Sequence, residues 1–250
     1  SDLKYDVPYQ VIGNGSNLLV GDRGIRGLVI EMLSKEDEIC VEDDCITVGA
    51  GMLLSKTANR AAEHGLTGME FAAGIPGRIG GAVVMNAGAY GGEMKDILTA
   101  VTVLDQEGNE KILSAEELEL GYRTSCILKK GYIVTGAKIK LKHGEETAIR
   151  ARMEELKKQR VEKQPLEYPS AGSTFKRPEG YFAGKLIMDA GLRGYLVGEA
   201  QVSEKHCGFV INRGNATAAD VRTLMQNVAD IVEEKFGVRL EPEVKMIGEF

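Results

Sequence analysis

The sequence predicts an α+β protein, with a strand-rich half over about residues 1–142 and a half of mixed helices and strands over about 143–250. Short β-branched runs separated by Gly-rich turns fill the first half. Two long stretches of helical periodicity lie in the second. No internal repeat or low-complexity tract interrupts either half.

In the first half, strands are expected at Tyr9–Ile12, Leu28–Ile30, Ile46–Val48, Val101–Leu104 and Tyr132–Thr135. Their length and β-branched content favour strand over helix, and Gln106 to Asn109 reads as a turn between two of them. A helix is expected from about Leu53 to His64, stopped by Gly65. A second is expected to start at Ser114, whose hydroxyl can cap it while Glu117 reaches back. In the second half, Ile149, Met153, Leu156 and Arg160 fall at helical spacing, so a helix should run through about 144–164 and end before Pro165. Thr217 and Asp220 form a capping box ahead of a stripe of Val221, Leu224, Met225, Val228, Ile231, Val232 and Phe236, closed by Gly237. A short helix is expected at about Phe182 to Ala190 and a strand at Gly208 to Asn212. A last strand should open at Glu243, where a Glu is normally exposed.

Composition bounds the function. Hydrophobic residues make up 43% of 250, enough for real cores. The net charge of −6 and the pI of about 5.3 give no reason to expect nucleic acid or an anionic membrane as a partner. An acidic chain that binds an anion needs local donors, either main-chain amides or placed cations. The four Cys (Cys40, Cys45, Cys126 and Cys207) show no metal-binding or disulfide spacing and read as reduced thiols. No run is long and apolar enough to span a bilayer and no signal peptide is visible, so a cytoplasmic location is expected. A monomer binding only small molecules is expected.

Five segments carry chemistry. The first is Gly13-Asn14-Gly15-Ser16-Asn17, a polar Gly loop after a strand whose successive amides can form an anion-binding nest. Its G-x-G lacks the third Gly of a dinucleotide fingerprint and no helix opens after it, so a Rossmann motif is not supported. An ordinary turn remains an equal reading. The second is 74–92, with Gly74, Gly77, Gly80, Gly81, Asn86, Ala87, Gly88 and Tyr90, where bare backbone lets a flat or anionic ligand lie against main-chain amides. Consecutive tight turns are the alternative. The third is G-Y-R-x-S at 121–125, where Arg123 can bind a carboxylate or stabilise an oxyanion, although a lone Arg is usually a surface residue. The fourth is A-G-S-T-F-K at 171–176, with Ser173 in a turn that can present its hydroxyl as a proton donor or simply cap. No His or Asp pairing supports a hydrolase triad. The fifth is P-E-V at 242–244.

In this order and spacing, I-G-N-G-S-N-L-L-V, G-I-P-G-x-x-G-G-A with N-A-G-A-Y-G, G-Y-R-x-S, A-G-S-T-F-K and P-E-V resemble one family, UDP-N-acetylenolpyruvoylglucosamine reductase, or MurB. The resemblance runs from Ile12 to Gly248. It implies a FAD-binding domain of the vanillyl-alcohol-oxidase (PCMH) type over 1–142 and a smaller α+β substrate-binding domain over 143–250. It also implies NADPH as hydride source, and UDP-N-acetylglucosamine enolpyruvate as substrate in peptidoglycan precursor synthesis. Gly13, Asn14, Gly15, Ser16, Asn17, Gly74, Gly77, Gly80, Gly81, Asn86, Ala87 and Gly88 would bind FAD. Arg123 and Glu243 would stabilise the charge that develops on the substrate. Ser173 would protonate the adjacent carbon, helped by cationic neighbours such as Lys176, Arg177 or Arg193. Tyr90, Arg160 and Gln201 would join these three cations in binding substrate. No metal site is implied.

The sequence departs from the family pattern in three ways. The strand and T-x-x-x-G-G turn that members carry ahead of I-G-N-G-S are absent, so the FAD domain is expected to be N-terminally incomplete. The linker between Arg123 and Ser173 is short, as in the subtype without a Tyr-bearing loop insertion. Arg177 stands where other members place Asn. Two rival readings stay open: another FAD-dependent oxidoreductase of the same superfamily, or a flavin-free fragment that binds sugar nucleotides. The covalent flavins of many such oxidases hang on a His in a Gly loop, and neither Gly loop here has one.

Overall fold

The computed structural model describes residues 7–34 and 39–250. The chain divides by packing into two compact units, one of 1–14 and 29–160 and the other of 15–28 and 161–250. This partition differs from a single cut after residue 142 in two places. Most of the charged helix Glu146–Lys163 belongs with the first unit, and 15–28 belongs with the second.

The first unit is built on a five-stranded antiparallel sheet in the order Glu110–Ser114, Leu98–Leu104, Ile133–Lys140, Cys45–Gly49, Ile39–Glu42. Alternation sets which side chains face inward: Val101 and Val103 on one strand and Ile46 and Val48 on another are buried. Helices Leu54–Glu63 and Ile79–Val84 contribute Leu54, Ala58, Ala61, Ile79 and Val83 to the same core. Each large aliphatic side chain so buried contributes about 1.5–3 kcal/mol. Truncating one to Ala costs more, about 2–5 kcal/mol, because a cavity remains. A separate two-stranded sheet joins Tyr9–Ile12 to Leu28–Glu31.

The second unit has a four-stranded antiparallel sheet in the order Ser170–Ser173, Phe209–Asn212, Ala200–Val202, Leu196–Val197. Helix Ala218–Phe236 packs its expected stripe into the core beside this sheet and buries Leu224, Met225, Val228 and Val232, except that Phe236, expected in the stripe, is exposed near the helix end. Its start is satisfied twice over. Thr217 accepts from the amide of Asp220 and Asp220 answers at Thr217, while Asp22 accepts from the amides of Ala218 and Ala219. Gly237, at φ 67°, closes its other end. Strand Lys245–Ile247 runs parallel to Leu18–Val20.

All five strands expected in the first half form, as do the helices expected at Leu53–His64, 144–164, Phe182–Ala190 and Thr217–Gly237. Three readings need correction. Ser114 does not open a helix. Its exchange of hydrogen bonds with Glu117 is present, but it ends the strand Glu110–Ser114 and closes a turn. Glu243 does not open the last strand, which begins at Lys245, and it is 8% exposed rather than solvated. The alternative of consecutive tight turns for the Gly-rich stretch fails over Ile79–Val84, which is helical. A helix at Cys126–Lys130, capped by the Ser125 hydroxyl and ended by Gly131 in the left-handed region, also went unforeseen.

Candidate active site

In the first unit, the start of the polar loop meets the Gly-rich segment. Asn14 Nδ2 donates to the Pro76 carbonyl at 2.9 Å, and the Cα of Gly13 faces the Arg78 side chain. Gly80 and Ile79 hand their amides to the carbonyls of Ala50 and Met52, both at 2.8 Å, which seats the short helix against the sheet. The glycines differ in purpose. A Cβ on Gly92 would lie 2.6 Å from Phe71, and one on Gly88 would lie 2.7 Å from Glu93, so these positions are bare for packing. A Cβ on Gly81 would meet nothing within 4 Å, so bare backbone there faces open space. Gly77 packs near Leu54, and Ala87 is buried, bonded through its amide to Ala82 and through its carbonyl to Met94.

Several expected residues converge nearby. Arg123 sits at φ 54° in a turn closed by the Gly121–Thr124 bridge, and its Nη2 donates to the Gly88 carbonyl at 3.3 Å. Its guanidinium also lies over the Tyr122 ring at 5.1 Å. Arg160 lies against Gly74, where a Cβ would come within 3.3 Å of its Cδ. Burial lowers the pKa of Arg160, and its electrostatic interaction with Tyr90 opposes that shift. Asn86 is fully buried at φ 45°. Its Nδ2 donates to Glu93 and to the Gly121 carbonyl, and its Oδ1 accepts from the Lys95 amide. The Asn86 side chain is therefore engaged with protein and ties the 86–95 segment to the turn that carries Arg123.

In the second unit, Ser173 and Glu243 are brought onto paired backbones. The Glu243 amide donates to the Thr174 carbonyl at 2.9 Å, the Lys176 amide donates to Glu241 at 2.8 Å, and Phe175 bridges Pro242. Thr174 is itself buried, and its hydroxyl accepts from the Val210 amide. Asn17 Nδ2 donates to the Glu243 carbonyl at 3.2 Å, and the Asn17 carbonyl accepts from the Lys245 amide at 2.9 Å. Gly15 turns the loop at φ 66°, its carbonyl accepting from Leu18, and Ser16 beside it is half-buried. A cavity of about 380 Å³ opens beside these strands, lined in part by Leu19, Ala171, Thr174, Ile211, Met225 and Val244.

Four of the proposed polar contacts are held elsewhere in this unit. Lys176 pairs with Glu241 at 3.0 Å. Arg177 lies over the Phe182 ring at 4.0 Å and donates to the Tyr181 carbonyl. Arg193 donates to the Glu204 carbonyl and to Met188. Gln201 is 5% exposed, with Nε2 on the Gly194 carbonyl and Oε1 accepting from Arg213. Gln201 therefore orients Arg213, which sequence reasoning missed and which lies over the Tyr168 ring. Asp22 was missed as well: an acidic residue in a loop carries no signal that it will cap a helix almost two hundred positions away.

Comparisons with known proteins match both ends of the chain. A FAD binding domain family matches residues 3–114, and the C-terminal domain family of UDP-N-acetylenolpyruvoylglucosamine reductase matches 164–247. The UDP-N-acetylenolpyruvoylglucosamine reductase of Agathobacter rectalis is 62% identical over 98% of this chain and 82% of its own length. The chain belongs to the UDP-N-acetylenolpyruvoylglucosamine reductase family. The family's enzyme from Lachnoclostridium phytofermentans is 59% identical over 98% of this chain and 81% of its own length. The crystal structure of the MurB from Thermus caldophilus superposes with a TM-score of 0.83 at 42% identity, covering 97% of this chain and 86% of that one. The α+β fold expected for a MurB reductase, a FAD-binding domain with a second α+β domain, is the fold of this chain.

The first unit suits a flavin dinucleotide. The backbone at Gly81 is open, and Arg78 Nε is buried with no hydrogen-bond partner among the described residues, leaving one donor for an acceptor. Among the described residues no helix is long and apolar enough to cross a membrane.

Proposed function

We propose that this chain reduces UDP-N-acetylglucosamine enolpyruvate to UDP-N-acetylmuramate, with FAD as cofactor and NADPH as reductant, in peptidoglycan precursor synthesis. The observation that carries the assignment is the 62% identity to a family reductase across nearly the whole chain. Bound FAD supplies a hydride carrier between NADPH and the enolpyruvyl double bond.

The chain's own residues bind, orient and move the proton. The Gly loops at 13–16 and 74–88 would hold the cofactor through main-chain amides. Hydride addition leaves negative charge spread into the substrate carboxylate. Arg123, fixed by its turn, would bind that carboxylate bidentately, and Glu243 would also stabilise that charge through hydrogen bonds. Ser173 would deliver the proton to the adjacent carbon. Tyr90, Arg160, Lys176, Arg177 and Arg193 are proposed substrate contacts, and Gln201 acts through Arg213. Residues 1–142 and 143–250 are assigned the cofactor and substrate roles. A monomer working in the cytoplasm is proposed, and the acidic net charge supports the absence of nucleic acid or anionic membrane partners.

The test is an anaerobic sequence. The protein is mixed with FAD and NADPH and the loss of visible flavin absorbance is followed, then the enolpyruvyl sugar nucleotide is added. Bleaching followed by recovery of colour on that addition is the expected result. Bleaching without recovery sinks the substrate assignment, and absence of bound flavin sinks the enzyme assignment in favour of a flavin-free binding fragment.

A further inference from the structure

We infer that Asn17 is a positioning residue for Glu243, coupling the loop that opens the I-G-N-G-S-N motif to the carboxylate of the C-terminal segment. The inference rests on the catalytic reading of Glu243 given above. The family resemblance puts position 17 among the cofactor residues, but its hydrogen bonds run to the C-terminal segment.

Asn17 holds the chain on both sides of Val244. Its side-chain Nδ2 donates to the carbonyl of Glu243 at 3.2 Å, and its own carbonyl accepts from the amide of Lys245 at 2.9 Å. These two bonds start the parallel pairing in which Leu18 faces Lys245, Leu19 faces Met246 and Val20 faces Ile247. Beyond that pairing Gly21 leaves no space, since a Cβ there would lie 2.2 Å from the Glu249 carbonyl. The other side of Glu243 is held by its amide on the Thr174 carbonyl, one residue from Ser173. The main chain of Glu243 is thus clamped at both of its polar groups, by Thr174 at the amide and Asn17 at the carbonyl. With the backbone fixed, the carboxyl of a buried residue has few rotamers left, which is what transition-state stabilisation by a placed group needs. A main-chain carbonyl can be held by any donor, but the side chain at 17 must be short and carry an N–H at its tip. Asn satisfies both, and its own carbonyl continues the ladder.

The experiment measures the two half-reactions separately in Asn17→Ala, Asn17→Asp, Glu243→Gln and the double variant Asn17→Ala/Glu243→Gln, together with FAD retention and amide hydrogen exchange over 241–247 of the holoenzyme. The expected result is a roughly tenfold or greater slowing of substrate-driven flavin reoxidation in Asn17→Ala. Flavin reduction by NADPH and FAD retention should stay unchanged, and exchange over 243–247 should rise. Asn17→Asp, of equal shape but without the donor, should lose as much. In the Glu243→Gln background, Asn17→Ala should add less than about twofold, since both act through one group. Equal slowing of both half-reactions with loss of FAD would make Asn17 a cofactor ligand and overturn the proposal, as would unchanged exchange over 243–247. If Glu243→Gln alone reoxidises at the normal rate, the catalytic reading of Glu243 fails and takes this inference with it. That failure is told apart because it shows in a variant with Asn17 intact.

Discussion

The side-chain amide of Asn86 donates to the main-chain carbonyl of Gly121 at 3.0 Å, fastening the Gly-rich segment to the turn that presents Arg123. The same Asn86 bonds Glu93 and the Lys95 amide while fully buried, at a positive φ that Asn tolerates better than Ala. Asn86→Ala should therefore cost about 2–4 kcal/mol, because it strands the partners as well as removing the bonds. Urea unfolding checks this. Asn86→Asp should be at least as damaging, since it places a second carboxylate against Glu93. A loss under about 0.5 kcal/mol would show that the network contributes little.

Ser173 is next to the Thr174 carbonyl that holds the Glu243 amide, so the hydroxyl and the carboxyl come from paired backbones. Ser173→Ala should leave flavin reduction by NADPH intact and slow reoxidation by substrate roughly a hundredfold to ten-thousandfold. Single-turnover absorbance measurements on each half separate the two. Equal loss in both halves would remove Ser173 from the proton-transfer step.

Arg123 has its backbone in the left-handed region and its guanidinium on the Gly88 carbonyl. Arg123→Lys keeps the charge but not the fork, so it should lower the reoxidation rate nearly as far as Arg123→Ala, roughly a hundredfold or more. A near-normal rate in Arg123→Lys would mean that simple charge is enough.

Asp22 accepts from the first two amides of helix Ala218–Phe236 at 2.7 and 3.0 Å. Asp22→Ala should destabilise the protein by about 1 kcal/mol, while Asp22→Asn, which keeps one acceptor, should lose less. Chemical denaturation reads both. Thr217 continues to cap the third amide in either variant.

Asp105 is buried in the turn after strand Leu98–Leu104. The Lys111 ammonium at 2.9 Å, followed by the amide and side chain of Asn109, holds its pKa at about 2 against the ordinary 3.8. A carboxylate depressed in the folded state stabilises it above the unfolded pKa, and that contribution disappears as pH falls from about 4 through about 2. Asp105→Asn should therefore lower the melting temperature at neutral pH, with the gap to the parent closing as pH falls through that window. A gap independent of pH would show that the ion pair is not its source.

Much of the architecture was legible in the sequence because local rules and the final fold agree there. The stripe from Val221 to Val232, the Thr217/Asp220 cap and the Gly237 stop are short-range features and formed as written, while Phe236 at the end of the stripe is exposed. The strands at Tyr9, Leu28, Ile46, Val101 and Ile133 followed from β-branched runs between glycines. Ser114 shows the limit of such rules. Its capping box formed, yet the residue was claimed by pairing with Ala100 on the neighbouring strand, a long-range term that local chemistry cannot anticipate.

The sequence by itself determined the α+β class, the family, and which residue types were available for the chemistry, because those follow from periodicity and from ordered motifs. Only the tertiary structure decided what each of those residues touches. It buried Glu243, turned the Asn86 and Gln201 amides onto protein partners, joined Asn17 to the C-terminal segment, and enlisted Asp22 to cap a helix. The physical reason is that a buried amide or carboxyl must find a partner wherever the packed chain provides one, and that partner can be more than two hundred residues away, as between Asn17 and Glu243.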